Sequence, residues 1–246
     1  MLTEHKLYKG KIVIKFDDER HQFFNHNGES VLSVSKISGV VDKSPGLMGW
    51  TAKMMGLYLL AEKEKGNDKI TDELVARAKS EYRKLKQEAA DIGAEAHEWV
   101  HSWILGKKPT MPENEKVVNA ITAFLKFQKE HKAKWIETER VIYSKKWNFA
   151  GRLDAVAMID GKLALPDFKS SSGIYPEMRF QVAGYAIAYE EETKKKIERP
   201  MIIRWGKEDG RFEVMELDNF GRDKEAFLGC VSVAKRLDEL KNGNNS

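Results

Sequence analysis

Residues 151–185 read GRLDAVAMIDGKLALPDFKSSSGIYPEMRFQVAGY, and the fold turns on how this stretch pairs with itself. Asp160-Gly161 is a two-residue hairpin signal with alternating apolar residues on either side. It predicts antiparallel strands over 149–159 and 162–168. Residues two apart on a strand project to one face. Arg152 therefore projects with Asp154, and Asp167 with Lys169. The turn brings the two carboxylates toward each other with the Lys169 amine beside them. Carboxylates are hard oxygen ligands suited to Mg²⁺ or Mn²⁺, and an adjacent ammonium can orient a water or balance charge on a phosphate. A helix is predicted next, over 176–192, with Pro176 tolerated in its first turn. Gln181 and Tyr185 lie one turn apart on it and face the same way. In outline this is a site for cleaving a phosphodiester.

Outward from this stretch, a strand is predicted over 135–144, and two more over 201–205 and 212–217. A final helix is expected over 222–240 and a disordered tail over 242–246. Upstream, residues 11–16 and 21–25 alternate as a hairpin. Ser35 reads as the N-cap of a short helix, and Ser44 before Pro45 as cap and first position of another. Helices follow over 48–65, 71–106 and 113–131. Leu74, Ala78, Tyr82, Leu85 and Ala89 give the long one an apolar stripe, and Gly93 allows a break within it. Pro166 falls in mid-strand, so it sits either at a bulge or on a side that makes no ladder bonds. The economical architecture is one α+β (α/β) domain, residues 1–246, with a mixed central sheet flanked by helices. It comprises a hairpin and helical part over about 1–132 and a β-rich core over about 133–241.

At 246 residues the chain is long enough for a substantial core. With 41% hydrophobic and 33% charged residues it has an ordinary globular composition. The net charge of +4 permits a nucleic-acid partner without demanding one. The one cysteine, Cys230, excludes an intrachain disulfide and a four-cysteine iron–sulfur cluster. No signal peptide or membrane span is visible, so a cytoplasmic location is the expectation.

The residues Gly151, Arg152, Leu153 and Asp154, the Asp167-Phe168-Lys169 triplet after a hairpin, and Gln181…Tyr185 on the next helix together resemble the core of the PD-(D/E)xK nuclease superfamily. The pattern is nearest its branch of RecB-like nucleases, phage exonucleases and the mitochondrial genome-maintenance exonuclease. Ser170 stands where that branch usually carries Thr. The resemblance implies a restriction-endonuclease-like core and a metal-dependent deoxyribonuclease, acting as an exonuclease on single-stranded DNA or DNA ends in repair, recombination or replication. It allows a phage or viral origin. It implies Mg²⁺ or Mn²⁺ held by Asp154, Asp167 and the Phe168 backbone carbonyl, with Lys169 orienting or deprotonating a water. Gln181 would position Lys169 or substrate, and Tyr185 would pack beneath. Glu139 falls where the branch has an acid on the first core strand. Ser35 and Lys43 fall in a segment associated there with guiding the DNA strand. A structure-specific endonuclease of the same superfamily and a non-catalytic nucleic-acid-binding protein are the alternatives. Trp50 and Trp147 are candidates for stacking unpaired bases.

His97-Glu98-Trp99-Val100-His101 is a literal H-E-x-x-H on a predicted helix, the spacing of a zinc metalloprotease. The Gly and His of the extended motif are absent; Ile104 and Lys107 stand there. Glu130 or Glu139 remains available as a third ligand. The nuclease resemblance assigns the same segment otherwise: Gly93-x-x-x-His97 resembles the branch's G-x-x-x-H, which adds His97 to the metal ligands and leaves Glu98 and His101 at the surface or behind the ligands. Arg152 can clamp a phosphate or pair with a carboxylate.

Overall fold

The computed structural model describes residues 1–67 and 69–243. They form two compact units: Met1–Val41 together with Ala96–Ser246, and Asp42–Glu95. The end of the tail expected to be disordered, 244–246, lies outside the described residues; 242 and 243 continue the last helix.

In the first unit β1 (Leu2–Leu7), β2 (Ile12–Asp17), β3 (Gln22–Phe24) and β4 (Ser30–Val31) pair in that order as an antiparallel sheet. The β2–β3 hairpin is the one the sequence predicts; β1 and β4 are additional. Leu2–Leu7 carries polar residues at most positions, and two residues of β4 are too few for any period. The β1–β2 turn runs through left-handed Tyr8 and Lys9 before Gly10, without the Asn-Gly or Asp-Gly signature. Ile14, Phe16, Phe23 and Val31 of this sheet pack with Val141 and Ala150.

The larger sheet runs β5 (Lys134–Ser144), β6 (Phe149–Ile159), β7 (Lys162–Lys169), β8 (Arg199–Trp205), β9 (Phe212–Glu216), in that order. All neighbours are antiparallel except β7 and β8, which are parallel because α5 (Pro176–Thr193) carries the chain across between them. The sheet is therefore mixed. One face packs on α1 (Val34–Ser38), α5 and α6 (Phe220–Gly243), burying Phe149, Leu153, Leu165, Val182, Ile202 and Phe227. Gly184 lets α5 and α6 close: a Cβ there would meet Phe227 Cζ at 2.5 Å. Residues of the opposite alternation, Phe168 and Trp205, stack at 4.7 Å and meet Phe124 of α4 (Glu115–Glu130) edge-on. The fold is α+β, a mixed central sheet flanked by helices.

Two caps differ from expectation by one or two residues. Ser33, not Ser35, caps α1, its side chain accepting from Lys36 N, so Ser35 lies inside the helix. Lys43, not Ser44, precedes α2 (Ser44–Glu64), with no side-chain cap. Helix α3 (Asp72–Ile104) runs unbroken through Gly93, and its residues from Ala96 onward belong to the first unit. In the second unit Trp50 of α2 meets Tyr82 of α3 edge-on at 6.3 Å. No helix among the described residues is long and apolar enough to cross a membrane.

Candidate metal centre

The β5–β6 ladder kinks in its middle. Glu139 has φ 49°, a left-handed conformation uncommon for a non-glycine residue and out of place in a strand. Thr138 pairs with Ala155 and Arg140 with Leu153, so Glu139 and Asp154 come opposite each other without pairing. Alternation breaks at this point. Glu137 and Arg140, three residues apart, both reach Tyr189 of α5: the phenol donates to Glu137 Oε1 at 3.2 Å and the guanidinium lies 5.2 Å over the ring. The kink gathers Glu139 and Asp154 with His97 of α3. Ligand atoms of these three lie within 4.8 Å of one another, and His97 Nδ1 is 3.8 Å from Asp154 Oδ1.

The β6–β7 hairpin, in contrast, opens. Its pairing ends at Ala157 with Ala164, so Pro166 lies on a side that makes no ladder bond to β6, one of the two arrangements the sequence allows. Asp154 reaches across the opening, its Oδ2 accepting the Phe168 N–H at 2.6 Å. Asp167 and Lys169 share a face of β7, with Lys169 Nζ 2.6 Å from Asp167 Oδ2. The pair is secluded: Asp167 is 1% exposed, and the Lys169 ammonium lies within hydrogen-bond reach of its carboxylate. A carboxylate buried this deeply is costly unless a cation balances it, as the Lys169 ammonium does here.

The electrostatics follow from that crowding. Burial pushes Asp167 up to about 6; Lys169 opposes the shift and Asp154 adds to it. Burial also raises Asp154, against Lys169 and the Phe168 N–H. Glu139 is pushed up to about 8 by burial and then by Asp154, although Arg152 stands against it. Burial would discharge Lys169, but Asp167 and Asp154 outweigh it and hold the ammonium above the usual lysine range. His97 is pushed down to about 4 by burial, then by Lys169, and its imidazole is neutral at pH 7 with a lone pair to offer. A hydrogen bond with the Phe168 backbone works in the opposite direction on His97, which sets that peptide beside the ring. Trp205, fully buried, flanks His97 at 5.1 Å between ring centroids.

The other residues singled out from sequence fall as follows. Arg152 Nε pairs with Glu139 Oε2 at 2.8 Å and its Nη1 with Asp18 at 3.1 Å, while the guanidinium lies 4.8 Å over Phe16. It is tied to carboxylates of β5 and of the β2–β3 turn. Gln181 Nε2 donates to the Tyr185 hydroxyl at 2.8 Å and to Ser35 Oγ at 3.3 Å. The Tyr185 ring lies so close over β6 that a Cβ on Gly151 would sit 2.9 Å from it, which accounts for that glycine. The H-E-x-x-H pair parts company: His97 joins the carboxylates, while His101 Nδ1 lies 3.2 Å from Thr138 Oγ1. Glu98 is exposed. Lys43 and Trp50 belong to the second unit. Trp147 packs half-buried on the α5–α6 core with Lys146 Nζ 5.0 Å over its ring. Thr138 and Trp205 carried no signal in the sequence, since both read as ordinary strand residues.

The chain matches no family model and no curated protein. Among solved structures it is similar to LHK-Exo in complex with dAMP. The two are 12% identical over 88% of this chain and 95% of that one, with a TM-score of 0.37. It is also similar to SSO0001, at 13% identity over 63% of this chain and 86% of that one, with a TM-score of 0.30. Likenesses this slight carry no weight for fold or activity.

Proposed function

We propose that this chain is a divalent-metal-dependent DNA nuclease of the PD-(D/E)xK superfamily, an exonuclease acting on single strands or ends. The observation that carries the reading is the cluster of His97, Glu139 and Asp154, with the buried Asp167–Lys169 pair beside it. Four acid or imidazole groups share one small region there with one buried ammonium. The donor set, carboxylate oxygens with one neutral imidazole, fits Mg²⁺ or Mn²⁺. His97, Asp154, Asp167 and the Phe168 carbonyl would hold the ion, and Glu139 is placed to join them.

The ion would supply Lewis-acid polarisation of the phosphate and a more acidic water. The remaining chemistry belongs to the side chains. Lys169, still charged beside Asp167, offsets the negative charge that builds on the phosphate and can orient the attacking water. Gln181 of α5, tied to Tyr185 and Ser35, would position Lys169 or substrate. The kink at Glu139 and the opened β6–β7 seam support this reading, since acids from three strands, Glu139, Asp154 and Asp167, face one region.

End-labelled linear and closed circular DNA, single- and double-stranded, incubated with and without Mg²⁺ or Mn²⁺, test the reading. Linear substrate is degraded from its ends only with the ion, and closed circles survive. Asp167→Asn and Lys169→Ala each lower the rate by about 10²-fold or more while retaining DNA binding. Cut circles point instead to an endonuclease. DNA binding without ion-dependent cleavage by the unmodified protein sinks the enzyme reading.

A further inference from the structure

We infer that His101 and Thr138 form a positioning pair that sets the distance between the helix bearing His97 and the strand bearing Asp154. The inference rests on the metal-centre reading above. Thr138 Oγ1 donates to the Asp154 backbone carbonyl at 3.0 Å. Its single proton is thereby committed, so the contact with His101 Nδ1 at 3.2 Å must run the other way, with Nδ1–H donating to the hydroxyl oxygen. That fixes the His101 tautomer and completes a chain from α3 through a β5 side chain to the β6 backbone.

Its location gives it consequence. Glu139 and Asp154 are the one opposed pair between Thr138 and Arg140 that does not join the ladder. Backbone pairing therefore does not fix β6 at Asp154, and the Thr138 hydroxyl supplies a bond there. His101 lies one helical turn beyond His97, on the same side of α3. The chain thus anchors the same two elements that supply His97 Nδ1 and Asp154 Oδ1, 3.8 Å apart. Partners standing behind ligands in this way typically change metal affinity when they are lost. The second histidine of the H-E-x-x-H string then acts as a strut, holding the ligand helix and taking no ligand place itself.

Mn²⁺ binding, measured by titration calorimetry and by the electron paramagnetic resonance signal of the free ion, tests this without reference to cleavage. Thr138→Val keeps the β-branched shape and loses both bonds; it weakens Mn²⁺ binding about ten- to a hundred-fold. Thr138→Ser keeps the hydroxyl and restores wild-type affinity. His101→Phe weakens binding similarly, whereas His101→Asn retains a donor near Nδ1 and keeps it. The His101→Phe, Thr138→Val double variant is no worse than either single one, because the two act in series. Wild-type affinity in Thr138→Val, or equal loss in Thr138→Ser, overturns the strut while leaving the metal centre standing. Failure of the unmodified protein to take up Mn²⁺ removes both.

Discussion

Glu139 pays for its position in backbone strain. A left-handed carboxylate-bearing residue in mid-strand is held there by the surrounding structure, and such outliers gather at functional sites. Glu139→Gly is expected to stabilise the cation-free protein by about 1 kcal/mol, since glycine carries no penalty at positive φ. The same change weakens Mn²⁺ uptake. Chemical denaturation and calorimetry read the two effects, and a loss of stability speaks against strain at this residue. The titrating groups give a second expectation. Asp167 and Glu139 bind protons more tightly folded than unfolded, at about 6 and about 8. Their contribution to stability is complete below the ordinary carboxylate range and is lost as pH rises through those values. His97, held down to about 4, works oppositely: its contribution is present above its ordinary value and lost as pH falls toward 4. In the proposed metal centre, Mg²⁺ would replace the protons on the two carboxylates. The rise in melting temperature that it produces should therefore grow between pH 5.5 and 8, and a rise constant across that range contradicts the assignment. At this scale the shared face of Asp167 and Lys169 was legible in the letters because strand alternation holds on β7. Glu139 could be flagged only by resemblance. Its inward turn depends on a positive φ at a glutamate, for which no residue-type signal exists.

Elements were easier to read than their ends. The Asp160-Gly161 turn fixed β6 and β7 because its left-handed residues suit the strand twist. The amphipathic α4 follows from its periodicity. The N-caps slipped because several serines compete around residues 33–44, and the hydrogen bond, not the residue type, decides among them. Close packing between elements supplies the next test. Gly184 sits against the Phe227 ring, so Gly184→Ala overpacks α5 on α6 and should cost about 1–3 kcal/mol. Phe227→Leu in the same chain makes room and recovers part of the loss. Urea melts of the single and double variants measure the coupling, and additive losses show that the two do not meet.

Across the whole molecule, the α+β class with a mixed central sheet was predictable, because strand, helix and turn signals agree along residues 134–217. Two sheets in place of one were not predictable, since β1 and β4 lack pattern. Nor was the second unit, Asp42–Glu95, because no change of composition marks its junctions. One bond bears on the cohesion of the entire sheet. The β6–β7 hairpin has three paired positions, and past them the Asp154 carboxylate takes the Phe168 amide in place of a backbone oxygen. Asp154→Ala should leave that buried amide unpaired and lower stability by about 1–3 kcal/mol even without cation or DNA. Asp154→Asn keeps an acceptor and should unfold close to wild type though inert, a contrast that denaturation of the two variants settles. The side chain proposed as a metal ligand thus also rivets one half of the sheet to the other. A sound but idle protein would therefore come from changes at this codon that keep an acceptor; the others would cost stability along with the proposed cation site.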